Sequence, residues 1–377
     1  MSMQTLYEAI RRDALGLNDE IIAWRHHFHR HPELSFKEFE TTRFIVEKLR
    51  EFGYSDIQTG FGPLQTGVMT SIGTGEKCLA LRADIDALPV KENTGLEYCS
   101  QNEGVMHACG HDAHAANLLA VAKLLKQHES ELKGRVKLIF QPAEETGTKI
   151  FGKPISGAGC VVRSGAVDDV EAMFGMHVWG VFEKGRVFVK TGPTMMASGR
   201  FNLKVIGKST HGASPHLGCD PVTTTCRIVD AIQTIVAREV SPLEPRLITV
   251  GTIHGGTATN IVPQEVEISG TLRAAKEEVV RFMGKRLGEV AQKTAESSRC
   301  TTDYNLLING PAVVNNPEMV EVVRTAARGI LGEERVSDVE MLTGSEDFRE
   351  YSARVPAALY FMGMCSPEEG IGQPQHA

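Results

Sequence analysis

No run of roughly 18 or more apolar residues, the length a membrane-spanning helix needs, occurs in this 377-residue chain. The start, MSMQTLYEAIRRDALGLNDEIIAWRHHFHRHPEL, carries charges throughout and lacks the apolar stretch of a secretory signal. No membrane partner is expected. Basic charge is not in excess either: the formal net charge is -7, and acidic and basic residues alternate without a basic stripe, which argues against a nucleic-acid partner. The eight cysteines follow no framework spacing and form no CxxC pair. That excludes a disulfide-stapled scaffold and a closed zinc ribbon, and predicts a soluble, reduced, cytoplasmic protein. Low-complexity linkers and short repeats are also missing, and the length favours two domains over one core.

What the chain does have is an unusual density of metal-ligand chemistry. The stretch HACGHDAH, His107 to His114, precedes by about thirty residues the double glutamate of FQPAEE, Phe140 to Glu145. Imidazole, thiolate and carboxylate together suit a transition metal, with a carboxylate left over for proton transfer. Cys109 and His111 are two residues apart and would share one side of an extended segment. Asp112 then reads as the N-cap of a helix through AHAANLLAVAKLLKQHE, whose Leu118, Leu119, Ala122 and Leu125 recur at helical spacing. His107 and His114 read as a neighbour and a first-turn residue. A satisfied polar patch is the bland alternative.

Further polar residues follow strand-like apolar runs. KCLALRADID delivers Asp84 and Asp86, GRVKLIFQPAEE delivers Glu144 and Glu145 after a proline stop, EAMFGMHVWG delivers His177, and AALYFMGMC leads into a loop to His376. In open α/β sheets ligands bind beyond the carboxyl ends of strands, so these exits can converge on one cleft. Each alone is unremarkable; together they predict a site.

The N-terminal part alternates helices and strands: an opening helix to about His31, a helix through FKEFETTRFIVEKLREFG, then the strands above. An α/β fold with a mixed sheet flanked by helices is expected. After Lys190 the order becomes strand, helix, strand, strand, helix, strand, the ferredoxin-like sequence. This predicts an inserted α+β domain over residues 193–308 and a discontinuous first domain over 1–192 and 309–377.

The chain resembles the peptidase M20 amidohydrolases, in the branch of hippurate hydrolases, N-acyl-amino-acid amidohydrolases and indole-acetyl-amino-acid hydrolases. The resemblance runs nearly end to end through RHHFHRHPELSFKE, LRADIDALPV, VMHACGHDAH, FQPAEE, GMHVWG, THGASPHLGCDPV, TATNIVP, SGTLRA and GSEDF. It implies a zinc-peptidase-like catalytic domain with an inserted lid and dimerisation domain. It implies two divalent ions, zinc, manganese, cobalt or nickel, held by Cys109, His111, Glu145, His177 and His376, with Cys109 bridging. Glu144 becomes the general base and Asp84 the acidic support of the metal site. His211 would polarise the scissile carbonyl or stabilise the tetrahedral oxyanion, reaching over from the partner's lid, so a homodimer is implied, and Asn260 and Arg273 would grip the substrate carboxylate. As bare sequence those three read as a solvated turn residue, a turn cap and a surface strand residue. Glu346 and Asp347 of GSEDF read as a helix start and site-shaping loop.

Some positions depart from the family pattern. Arg82 stands in RAD where many members have an HxD ligand motif, and HACGHD fills the gap. Thr146 replaces the usual glycine after the double glutamate, and Thr146 to Cys160 is longer than usual. The family continues beyond His376 into a further helical segment, so that ligand is expected on a free end or in a shortened chain. The implied activity is metal-dependent hydrolysis of the amide bond of a small N-acyl amino acid, with the acyl pocket near Met195, Met196 and the Thr146 to Cys160 segment. The alternatives are a metallo-carboxypeptidase or dipeptidase and, in another class, a catalytically inactive binding protein.

Overall fold

The structure, a computed structural model, describes residues 3–150 and 153–369. The chain divides into two compact units, one of Met1–Thr194, Val314–Glu340 and Asp347–Ala377, the other of Met195–Val313 with Met341–Glu346.

Among the described residues of the first unit, eight strands form one mixed sheet. Their order is Ile57–Phe61, Leu64–Ile72, Arg135–Gln141, Cys78–Asp84, Ala172–Glu183, Ala357–Cys365, Val187–Phe188 and Val336–Ser337. The four strands from Arg135–Gln141 to Ala357–Cys365 run parallel, so their carboxyl ends open on one edge. Side-chain alternation explains how they are covered. On Arg135–Gln141, Val136, Leu138 and Phe140 join Trp24, Phe28, Ile45, Leu49 and Leu119 from the helices Asn18–Arg30, Phe39–Glu51 and His111–Gln127. Lys137, of opposite parity, donates from Nζ to Ala166 O at 2.7 Å, beyond the helix Gly157–Arg163. Both faces of that strand are therefore buried, which its near-continuous apolar run demands.

The expected single opening helix is two, Met3–Leu15 and Asn18–Arg30. Gly16 interrupts it at a turn, where low helix propensity makes the break cheap.

The second unit has an antiparallel sheet in the order Arg246–Gly255, Glu265–Ala274, Ala197–Ile206, Thr301–Gly310. With the helices Pro221–Thr234 and Glu277–Ser297 this is the ferredoxin-like arrangement. Asp220 caps the first helix by accepting the Val222 amide at 2.8 Å, and proline takes the first helical position. Val280, Met283, Leu287, Ala291 and Ala295 of the second helix lie in the core of this unit.

Candidate metal centre

The site begins where parallel strands end. The strand Cys78–Asp84 ends in a buried Asp84, Ala172–Glu183 carries His177, and the helix His111–Gln127 begins at His111. Cys109 and His111 are not on an extended segment: between them Gly110 turns left-handed at φ 89°, and a Cβ there would lie 2.4 Å from Val178 Cγ2. Only glycine fits both demands.

That turn also corrects the cap expected at Asp112. Gly110 occupies the N-cap position, so Asp112 falls inside the first helical turn, and its carboxylate takes Arg25 Nε at 3.1 Å and His29 Nδ1 at 2.8 Å. Burial opposes its charge, but His29 and Arg25 outweigh that and hold its pKa well below the carboxylate norm.

Ligand atoms of Cys109, His111 and His177 lie within 4.8 Å of one another, and so do those of His111, Glu144 and Glu145. Cys109 Sγ stands 3.5 Å from His177 Nε2. His111 Nε2 faces Glu145 Oε1 at 3.9 Å; both atoms are buried, and neither has a hydrogen-bond partner among the described residues. Such orphaned atoms are rare unless something else satisfies them. A cation between an imidazole nitrogen and a carboxylate oxygen does so, and the donor set of thiol, imidazole and carboxylate fits a divalent transition metal.

The electrostatics agree. Burial opposes a charged His111, yet the Asp84 carboxylate and the hydrogen bond with Asp86 raise its pKa well above the imidazole norm. Burial and the charges of Asp86 and Asp84 push Glu145 up to about 7, against the pull of His111. Burial pushes the Cys109 thiol up to about 12. A pocket where imidazole prefers to be charged and carboxylate prefers to be neutral is built for added positive charge.

The orienting groups around the candidate ligands were largely missed by sequence reasoning. Asp86 Oδ2 accepts the Glu145 amide at 3.0 Å and its backbone oxygen lies 2.9 Å from His111 Nδ1, so it orients two candidate ligands at once. His114, whose ligand atoms also cluster with those of Asp84 and His111, has both ring nitrogens engaged: Val178 N–H donates to its Nε2 at 2.9 Å, which leaves the proton on Nδ1 for Asp84 Oδ1 at 2.5 Å. Arg82, fully buried, donates to Asp84 Oδ2 at 2.7 Å, Gln141 Oε1 at 2.8 Å and Asp347 Oδ1 at 3.0 Å. The Asp347 amide in turn donates to Glu144 Oε1 at 3.1 Å. Asp347 is thus a buried acceptor beneath the site, while the short helix expected from GSEDF begins only at Arg349. Burial opposes the charge of Asp84, but Arg82, His111 and His114 hold it well below the norm. The signal available in the sequence was the departure noted above, Arg82 in RAD where many members of the family it resembles have HxD.

The family model described as Peptidase family M20/M25/M40 matches residues 80–376. The chain belongs to that family. It is 40% identical over 350 residues to the N-acetyl-L-cysteine deacetylase of Bacillus subtilis, covering 92% of this chain and 81% of the relative. To thermostable carboxypeptidase 1 of Saccharolobus solfataricus it is 36% identical over 375 residues, 99% and 93% of the two chains. To the N-acyl-L-amino acid amidohydrolase of Geobacillus stearothermophilus it is 37% identical over 313 residues, 82% of each. A solved structure of a dinuclear metal-binding peptidase of the M20 family, from Bacillus subtilis, aligns with a TM-score of 0.77 at 31% identity, covering 96% of this chain and 92% of that one.

Of the residues the M20 resemblance points to, the first unit brings together Asp84, Cys109, His111, Glu144, Glu145 and His177. His376 lies outside the described residues. His211, Asn260 and Arg273 belong to the second unit. There the strand Thr210–His211 pairs with Ile261–Val262, and Gly212 N donates to Asn260 O at 2.7 Å, so His211 and Asn260 are exposed neighbours. Arg273 is half-buried, and its Nη1 has no hydrogen-bond partner among the described residues.

Proposed function

We propose that this protein hydrolyses the amide bond of small N-acyl amino acids, releasing a carboxylic acid and a free amino acid. The observation that carries the reading is the facing pair of unsatisfied buried atoms, His111 Nε2 and Glu145 Oε1, beside a second glutamate whose carboxylate is held by the Asp347 amide. The relatives named for deacetylation of N-acetyl-L-cysteine and hydrolysis of N-acyl-L-amino acids support the same reaction class.

Cys109, His111, Glu145, His177 and His376 would hold two divalent ions. When bound, such ions supply Lewis acidity to the attacking water and to the scissile carbonyl. Zinc and cobalt suit the mixed donor set best, with manganese and nickel as further choices. Glu144 takes a proton from the water as its oxygen adds to the carbonyl carbon, then returns a proton to the amide nitrogen as the carbon–nitrogen bond breaks. Asp84, fixed by Arg82 and His114, keeps the ligand side negative.

His211 would donate to the oxygen that becomes negative in the tetrahedral species, from the lid of a partner subunit in a cytoplasmic homodimer. Asn260 and Arg273 would bind the carboxylate of the amino-acid half. For Arg273 the support is its buried Nη1 without an acceptor, a group that a carboxylate would satisfy.

A second reading, carboxypeptidase action on peptides, is favoured by the thermostable carboxypeptidase at 36% identity. One panel separates the two. Purified protein loaded with Zn, Mn, Co or Ni is offered acetyl-, benzoyl- and indole-acetyl-amino acids beside dipeptides and longer peptides, with and without a chelator. Chelator-sensitive release from the acyl amino acids is expected; release from peptides alone selects the carboxypeptidase, and none with any metal rejects both.

A further inference from the structure

The segment RHHFHRHPELSFKE lies ahead of the residues matched by the family model and supplies no group to the chemistry above. Its polar side chains nevertheless reach the loops that carry the candidate ligands. His29 grips Asp112, next to His111. Ser35 Oγ donates at 2.6 Å to Asp86 Oδ2, the oxygen that also accepts the Glu145 amide. Glu38, without exposed surface, accepts the Ala143 amide through Oε1 at 2.8 Å and the Thr66 hydroxyl through Oε2 at 2.8 Å.

Ala143 is the telling partner. Its φ is 54°, in the left-handed region that a residue with a Cβ enters at a cost and keeps only when its surroundings insist. It is the residue immediately before Glu144 and Glu145, so its backbone direction sets where both carboxylates point. Its carbonyl is held by the Gly157 amide at 2.9 Å, and a Cβ on Gly157 would come within 1.6 Å of Pro142 O. The turn is therefore pinned from one side by a close backbone approach and from the other by Glu38.

We infer that Glu38 is a positioning residue, whose carboxylate holds the Ala143 amide in the left-handed turn that aims Glu144 and Glu145 at the ion site. The inference rests on the metal centre proposed above. Burial and the charge of Asp86 push the Glu38 carboxyl up to about 7, so the acceptor is kept where an apolar side chain would be easier to bury. Ordinary core filling does not account for that choice.

The test uses the full chain and two readouts besides turnover: amide hydrogen exchange in peptides covering residues 140–147, and calorimetric titration of the metal-free protein with Mn²⁺. Glu38→Met fills the same space without an acceptor. It is expected to speed exchange in these peptides and to weaken Mn²⁺ binding about 10-fold or more, as loss of ligand-orienting groups typically does. Glu38→Gln retains a carbonyl for the Ala143 amide and should restore most of both. Glu38→Met combined with Ala143→Gly should also regain affinity, because glycine adopts this φ freely.

A folded Glu38→Met protein with wild-type exchange and affinity overturns the assignment, and so does a double variant no better than the single. Where Glu38→Met does not fold, Glu38→Gln decides, and loss of Mn²⁺ affinity despite its acceptor counts against the inference. Should the wild-type chain bind no Mn²⁺, the metal reading falls, while exchange at 140–147 still decides the role of Glu38.

Discussion

His111 Nε2 and Glu145 Oε1 face each other across 3.9 Å, both buried and neither hydrogen-bonded within the described residues. Leaving such atoms unsatisfied typically costs about 1–3 kcal/mol each, more when charged, so a cation between them should stabilise the fold as well as enable catalysis. Exhaustive chelation is expected to abolish turnover and lower the melting temperature, and one divalent metal should restore both. Cys109→Ala should bind metal poorly by the same titration. Full activity in metal-free protein would remove the mechanism.

Glu144→Gln keeps the shape of the side chain and the acceptor for the Asp347 amide, but cannot take a proton. The folded variant should retain its metal, by elemental analysis, and lose about 10²-fold or more in kcat. Near wild-type turnover would reject Glu144 as the base.

Arg82 links Asp84 to Asp347, and removing it leaves two buried carboxylates without their cation. Arg82→Met should destabilise the protein by about 3–5 kcal/mol in urea titration. Arg82→Lys should recover only part, since an ammonium cannot reproduce three directed bonds to Asp84, Gln141 and Asp347. A fully stable Arg82→Met protein would show that the network contributes nothing.

Glu38 carries a prediction about pH. Burial and the charge of Asp86 push its carboxyl from 4.5 up to about 7 in the folded chain. Below about pH 4.5 the group is protonated in both folded and unfolded chains and imposes no penalty. Between 4.5 and 7 the unfolded chain ionises first, and stability falls as pH rises, to a constant deficit above about 7. Glu38→Gln should therefore be the more stable protein at pH 8, by on the order of 3 kcal/mol, with its advantage vanishing near pH 4. Equal stabilities at both pH values would contradict a raised Glu38.

The in-trans role of His211 is tested by mixing. Donors at a developing oxyanion are typically worth about 10² to 10³ in kcat. His211→Ala and Glu144→Gln homodimers should each be nearly inactive. A verified heterodimer of the two would hold one site with both defects and one with neither, and should recover toward half of wild-type activity. Heterodimers that stay inactive, or a fully active His211→Ala homodimer, would refute the role.

Much of this molecule was written in local pattern. Alternating and continuous apolar runs marked strands such as Arg135–Gln141 and Glu265–Ala274, and the strand-helix-strand-strand-helix-strand order announced the ferredoxin-like sheet, because both depend on spacing along the chain. That Cys109, His111, Glu144, Glu145 and His177 would gather was legible for a related reason: ligand-capable chemistry is a property of side-chain type, and strand ends say where it collects. The tertiary structure alone decided what aims those groups. The Asp112 cap failed because a left-handed Gly110 takes the N-cap position two residues earlier, and nothing local shows the Val178 methyl that demands glycine there. Arg82 meets Asp347 across 265 positions, and Glu38 meets Ala143 across 105. Bonds over such separations leave no periodicity in the sequence; they exist only once the sheet has brought its strand ends together.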